Sequence, residues 1–247
     1  MGWALDLDGV VWLGTDRIPG VGEAVTKLQD AGETVLFVTN NSGSRIVDLE
    51  ARLAHHGIDA RGGVISSAMA AAKMVEPGER ILGRCGPGCR EELEAQGAVM
   101  VDDGPVDTVV VGFHEHFDYW GLSAGIRAVL GGARLLATNT DVTYPAEDGI
   151  RAGAGSIVAA LVAATGVTPE VAGKPHQAIC DLVIEAAGPE GIVVGDRPDT
   201  DGLLAQALNW KFALVLSGVT TEEHLPITPT PASIHADLPA LIAEYLQ

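Results

Sequence analysis

Trp3-Ala4-Leu5-Asp6-Leu7-Asp8-Gly9 is a short apolar run that breaks into two aspartates, with a glycine beside them for a tight turn. The run has no polar alternation, so it reads as a strand buried on both faces, the kind found in parallel sheets. On extended backbone the side chains of Asp6 and Asp8 project to one side. The same punctuation returns twice. Residues 34–38 are apolar and end in Thr39-Asn40-Asn41-Ser42, and residues 191–194 end in Gly195-Asp196-Arg197-Pro198-Asp199-Thr200-Asp201. Helical patterns are expected at 20–31, stopped by Gly32, and at 44–56, with Ser44 as N-cap and Gly57 as stop. A further helix is expected at 199–208, ahead of a strand at 212–216. This alternation predicts an α/β fold whose core is a Rossmann-like, doubly wound parallel sheet. In such sheets ligands bind beyond the carboxyl ends of the strands, where these polar clusters fall.

Between the two halves the rhythm changes. Strand-like stretches at 98–101, 108–111 and 135–137 alternate with helical ones at 87–96, 119–130 and 156–164. That is enough for a small α/β domain of its own. The expected organisation is a core from residues 1–81 and 169–247, with an α/β domain, 82–168, inserted in it.

The chain has 247 residues and carries 33 acidic against 15 basic ones, a formal net charge of −18. That excess repels the phosphate backbone of nucleic acid, so no nucleic-acid partner is expected. A small phosphate would need a metal ion and a few basic groups to reverse the field locally. No apolar run is long enough to span a bilayer, and Met1 leads almost directly into a strand with no signal peptide ahead of it. No membrane partner and a cytoplasmic location are therefore expected. Three cysteines make no disulfide framework and read as reduced thiols.

Four polar clusters are candidates for chemistry: Asp6 with Asp8, Thr39 to Ser42, Gly173-Lys174-Pro175, and Asp196 to Asp201. Pro175 suits the first turn of a helix. Each cluster alone has a plain structural reading: a solvated turn, a capped turn, a surface connection, and an acidic helix start favoured by the dipole. Together they suit one use. Asp6 and Asp196 can hold a hard cation such as Mg²⁺, which takes phosphate oxygens as further ligands. The cation, Lys174 and the short donors at Thr39 to Asn41 would neutralise a phosphoryl group in transfer. One aspartate can attack phosphorus and carry it as an acyl phosphate. A second carboxylic acid two residues on can protonate the leaving oxygen and then take a proton from the attacking water.

These motifs resemble those of the haloacid dehalogenase superfamily of phosphatases, in the subgroup typified by NagD, p-nitrophenylphosphatase and pyridoxal phosphatase. The first matches at Asp6-Leu7-Asp8-Gly9-Val10-Val11-Trp12, the second at Thr39-Asn40-Asn41-Ser42, the third at Gly173-Lys174-Pro175 and the fourth at Gly195-Asp196 through Asp201. The likeness runs on to Ser217-Gly218-Val219-Thr220-Thr221. It implies Asp6 as nucleophile, Asp8 as general acid/base, Thr39, Asn40 and Asn41 around the transferring phosphoryl group, and Lys174 bridging that group and Asp6. It implies Mg²⁺ held by Asp6, the backbone carbonyl of Asp8, and Asp196, with Asp201 supporting through the metal's waters. An acid/base at Asp8 argues against the superfamily's dehalogenase branch. The inserted domain has the position of a large (type C2) cap, which closes over the site, excludes water and favours small metabolites. Relatives of this kind act on glycerol 3-phosphate, 2-phosphoglycolate, nucleoside monophosphates and pyridoxal 5′-phosphate, so the implied partner is a small phosphorylated metabolite. Relatives often pair through the cap, which makes a homodimer the corresponding expectation. The reading from another class is a non-catalytic phosphate-metabolite binding or regulatory protein on the same fold. Every catalytic position holds a competent residue, which speaks against it.

In the cap, Thr138-Asn139-Thr140-Asp141-Val142-Thr143-Tyr144-Pro145 matches the subgroup's substrate-facing loop. Asn139, Asp141 and Tyr144 are therefore candidates for reading the leaving group; a polar loop without ligand contact is the other reading. Gly153 to Ser156 reads as a helix start rather than a phosphate cradle. Cys85-Gly86-Pro87-Gly88-Cys89 has one residue too many for Cys-x-x-Cys and reads as two loop thiols. His114-Glu115-His116 reads as solvated cap surface rather than a metal site, and Trp120, Leu122 and Ile126 as ordinary helix core. Asp199 reads as a helix N-terminal acid. Arg45 and Arg197 stand open between drawing anions to the site and pairing on the surface.

Overall fold

The computed structural model describes residues 1–146 and 149–247. In chain order, β1 (Gly2–Leu5) leads to a small ribbon of β2 (Trp12–Leu13) and β3 (Asp16–Arg17), then α1 (Val21–Asp30), β4 (Thr34–Thr39), α2 (Ile46–His55), β5 (Val64–Ser66) and α3 (Ser67–Lys73). Next come β6 (Arg80–Arg84), α4 (Pro87–Ala95), β7 (Val99–Met100), β8 (Thr108–Val111), α5 (Tyr119–Leu130) and β9 (Arg134–Ala137). They are followed by β10 (Thr143–Ala146), β11 (Gly149–Ala152), α6 (Ala154–Thr165), β12 (Glu170–Val171) and α7 (Gln177–Ala187). The remainder is β13 (Gly191–Gly195), α8 (Leu203–Leu208), β14 (Lys211–Val215), β15 (Ser233–His235) and α9 (Leu238–Tyr245). The chain forms two compact units, one of residues 1–39, 47–65 and 174–247, the other of 40–46 and 66–173.

The first unit is built on a six-stranded sheet in the order β15-β14-β13-β1-β4-β5. β1 runs parallel to β13 on one side and β4 on the other. Trp3, Ala4 and Leu5 of β1 are fully buried, as the unbroken apolar run requires. α1 buries Val21, Ala24, Val25 and Leu28, one stripe at helical spacing, and packs on β4 and α9. From β1 the chain moves outward through β4 and β5, then returns to fill the opposite side with β13, β14 and β15. The reversal beside β1 is the switch point at which open α/β sheets bind ligands. The strands that end there carry Asp6, Thr39 and Asp196.

The second unit has a five-stranded parallel sheet in the order β12-β9-β8-β6-β7. Its core gathers Leu82, Val109, Val111, Val129, Leu135, Ile157, Val158 and Leu161 from the sheet and from α5 and α6. β10 and β11 pair antiparallel, Thr143 opposite Ala152 and Tyr144 opposite Arg151.

Several local expectations need correction. Ser44 is not the N-cap of α2, which starts at Ile46; the Asn41 carboxamide oxygen accepts the N–H groups of Gly43 and Ser44 and holds both in a turn. Pro175 does not open α7, which starts at Gln177 with His176 as its cap. Pro198–Gly202 is a π-turn, with the Arg197 carbonyl accepting from Thr200, Asp201 and Gly202, before α8 proper. Trp120 is not core: it is 76% exposed. α5 turns Leu122, Gly125 and Val129 inward at helical spacing, which leaves Trp120, two residues off that stripe, facing solvent. Among the described residues no helix is long and apolar enough to cross a membrane.

Candidate active site

Asp6 follows β1 directly, and its N–H bonds the Val194 carbonyl at 2.9 Å, level with the end of β13. Lys174 Nζ donates to Asp6 Oδ1 at 2.7 Å and to Asp201 Oδ1 at 2.6 Å. The π-turn aims Asp201 inward, and its second oxygen accepts from the Arg197 N–H at 3.1 Å. Asp6, Asp196 and Asp201 each present an oxygen within 4.8 Å of the others. Backbone crowds Asp196 from two sides. A Cβ at Gly9, where φ is +85°, would lie 2.4 Å from Asp196 Oδ2, and one at Gly218 would lie 2.0 Å away. Only glycine fits both positions. The Val219 N–H donates to Asp196 Oδ2 at 2.5 Å, and the Ser217 hydroxyl donates to the Gly9 carbonyl at 2.6 Å, tying the loop after β14 to the loop after β1.

Three buried carboxylates thus cluster around one ammonium, which pairs with Asp6 and Asp201. Burial, then the facing Asp6 and Asp201, push the Asp196 carboxyl up to about 8. Burial raises Asp201 to about 6 in spite of Lys174, and it raises Asp6 against the pull of the same lysine. Burial alone would depress Lys174, but Asp201 and Asp6 outweigh it and hold the ammonium charged. Among the described residues Asp196 Oδ1 is buried with no hydrogen-bond partner. An all-oxygen donor set with excess negative charge and an orphaned carboxylate oxygen fits a hard divalent cation such as Mg²⁺.

Asp8 forms an isolated bridge with Trp12, and its Oδ1 accepts from the Trp12 indole N–H at 3.0 Å. The Arg52 guanidinium lies 3.9 Å above the Trp12 ring. Burial raises the Asp8 carboxyl, while Arg52 and the indole N–H draw it back. The Trp12 side chain and Arg52 were missed as site residues from sequence. Trp12 lay inside the first motif; Arg52, from α2, had no signal.

Thr39 ends β4 and is buried. The other predicted residues fall in the second unit. The Asn40 amide donates to both Asp141 oxygens, at 3.2 and 3.0 Å. The buried Asn139 amide donates to the Asn40 carbonyl at 2.7 Å, and its oxygen accepts from the Asp141 N–H at 3.1 Å. Asn139 therefore fastens Asp141 beside Asn40. Asn41, besides holding Gly43 and Ser44, donates to the Ser44 hydroxyl at 3.2 Å. The Tyr144 ring meets Phe113 edge-on, centroids 5.2 Å apart. Both line a hollow of about 420 Å³ with His114, Phe117, Arg151 and Ser156. Gly153 caps α6; its N–H goes to Val142 O and that of Gly155 to Asp141 O. A Cβ at Gly155 would lie 2.2 Å from Thr140 O, so these glycines seat the Asp141 loop on the helix start. Cys85 and Cys89 are free thiols, but Cys89 is not in a loop: it is buried within α4. His116 is exposed, and His114 Nδ1 lies 3.1 Å from the Gly112 carbonyl. Arg45 pairs with Glu91, and Arg197 with the exposed Asp199.

Residues 3–99 match the family model described as haloacid dehalogenase-like hydrolase, and residues 171–241 match a second, HAD-hydrolase-like model. An acid sugar phosphatase of Staphylococcus aureus is 33% identical over 250 residues, covering 98% of this chain and 96% of its own length. The acid sugar phosphatase of Staphylococcus saprophyticus is 34% identical over 230 residues, covering 90% and 89%. Among solved structures, a p-nitrophenyl phosphatase from Archaeoglobus fulgidus superposes with a TM-score of 0.92 at 31% identity, covering 98% of each chain. A glycerol phosphate phosphatase from Mycobacterium tuberculosis in complex with magnesium gives 0.90 at 32% identity, covering 97% of this chain and 75% of that one. The calcium complex of the same protein gives 0.89.

Proposed function

The chain belongs to the haloacid dehalogenase-like hydrolases and is a phosphatase, and from that premise we propose that it hydrolyses a small phosphate monoester, with Mg²⁺, through an aspartyl phosphate on Asp6. The observation that carries this reading is the cluster of Asp6, Lys174, Asp201 and Asp196 at the switch point of the sheet. Asp6 Oδ1 rests on the ammonium, and the carboxylate attacks phosphorus as the bond to the leaving oxygen breaks. Asp8 gives that oxygen its proton, then takes one from the water that attacks the acyl phosphate and restores Asp6. Lys174, Thr39 and Asn40 bear the charge of the transferring group. Mg²⁺, held by Asp6, Asp196 and the Asp8 carbonyl with Asp201 behind them, would supply the remaining positive charge.

The substrate class is read from the relatives and from the second unit. The matched proteins are named acid sugar phosphatase, glycerol phosphate phosphatase and p-nitrophenyl phosphatase, which favours a phosphorylated sugar or polyol over a polymer. Asn139, Asp141 and Tyr144, in the loop that matches the subgroup's substrate-facing stretch, are the residues we assign to reading the leaving group. Phosphate release from a panel of monoesters, with and without Mg²⁺, tests both levels. Asp6→Asn is expected to lower kcat by roughly 10⁴-fold or more, as loss of a nucleophile does. Wild-type turnover in that variant would remove Asp6 from the mechanism.

A further inference from the structure

The carboxyl of Asp8 is held by a side chain from its own loop. The loop closes on itself: the Gly9 N–H donates to the Trp12 carbonyl at 2.7 Å, and the Trp12 N–H donates to the Leu7 carbonyl at 3.2 Å. Trp12 is 1% exposed, and its only polar side-chain atom points at Asp8 Oδ1. The ring is gripped from α2. Arg52 stacks on it at 3.9 Å and also donates to the Gly14 carbonyl, while the His56 ring lies 5.7 Å away. An indole clamped this way cannot turn its N–H elsewhere, and a carboxyl with one oxygen committed keeps one orientation.

We propose that Trp12 is a positioning residue for proton transfer by Asp8, and that Arg52, by clamping the indole, fixes that position. With Oδ1 committed to the indole, Oδ2 is the oxygen that carries the proton. In the first half-reaction the Oδ2–H bond breaks and the proton passes to the leaving oxygen, which keeps the electron pair of the broken P–O bond. In the second, Oδ2 takes a proton from water as the water oxygen bonds to phosphorus and the pair of the acyl P–O bond returns to Asp6. The inference rests on the phosphatase reading above and adds to it two residues, neither of which touches the phosphoryl group.

Leaving groups separate this role from mere support of the fold. Nitrophenoxide departs as a stable anion and needs little help from an acid; an alkoxide needs the proton as it leaves. Trp12→Phe keeps a ring in the site and removes the N–H. The kcat/KM for glycerol 3-phosphate is expected to fall about tenfold further than that for p-nitrophenyl phosphate, a part of what a general acid contributes. The ratio of the two constants in one preparation does not depend on how much of the protein is folded. Arg52→Met, which keeps the apolar stem and loses the guanidinium, is expected to shift the ratio the same way by less, and it carries the test if Trp12→Phe is insoluble. An equal fall on both esters, or a larger fall on the nitrophenyl ester, overturns the proposal. Phosphate release by the wild type answers separately for the phosphatase reading; the ratio answers for Trp12 and Arg52.

Discussion

Lys174 is the residue on which the site's electrostatics turn, because it is the ammonium shared by Asp6 and Asp201 while Asp196 lies in the same cluster. Breaking a buried pair from one side leaves an uncompensated charge, which costs about 3–5 kcal/mol. Lys174→Met is therefore expected to lower the metal-free urea midpoint strongly as well as to abolish turnover, and an unshifted midpoint would show that the carboxylates do not depend on the lysine. The positions of Asp6 and Asp196 are legible in the sequence, since a polar residue that breaks an apolar run marks a strand end whatever follows; Lys174 follows no such run and is legible only through the Gly173-Lys174-Pro175 motif. The division of labour was less so. That Asn41 closes a turn, and that Asn139 spends its amide on the Asn40 backbone, depends on partners supplied by folding. Arg52 shows the limit most clearly: an arginine on an amphipathic helix reads as surface until the ring it covers is in place.

At the level of elements, legibility followed periodicity. α1, β4, β8, α5 and β13 have clean apolar patterns and were read within a residue or two. The hairpin of β10 and β11 was not read, because it carries a proline, a glycine and an exposed Ile150 in place of alternation. α9 was missed as well. It is short, has Pro239 in its first turn and follows a proline- and threonine-rich stretch; its one signal is Asp237, whose carboxylate accepts the Ala240 N–H at 2.9 Å. α9 buries Leu238, Leu241 and Ile242 and packs on α1, and Tyr245 meets Trp3 edge-on at 4.8 Å. Removing such a cap costs about 1 kcal/mol. Asp237→Ala should lower the unfolding free energy by that much and leave kcat unchanged, as α9 supplies none of the site groups among the described residues. A fall in kcat with no change in stability would contradict this placement.

At the scale of the molecule, an acidic chain has concentrated three carboxylates where charge is hardest to hold. Asp196 titrates near 8 and Asp201 near 6 in the metal-free fold, against an ordinary aspartate value of 3.8. The folded state thus keeps protons that the unfolded chain has released, so stability from these groups is complete below pH 4 and is lost as pH rises through 6 and 8. Without metal, Tm should fall between pH 5 and pH 8. A cation that binds the deprotonated carboxylates reverses this, since binding to the folded state alone contributes about 2.7 kcal/mol at a hundredfold excess over Kd. For a chain of this length that is roughly 5–10 °C. The rise produced by Mg²⁺ should be larger at pH 8 than at pH 5, where protons compete for the same oxygens. Ca²⁺ should also raise Tm yet inhibit turnover, because its looser, larger coordination shell does not hold the reacting oxygens in line. A metal-free Tm that climbs with pH, or an equal Mg²⁺ shift at both values, would mean that the cluster holds its charge without a cation, and the fit to a divalent ion would fail with it.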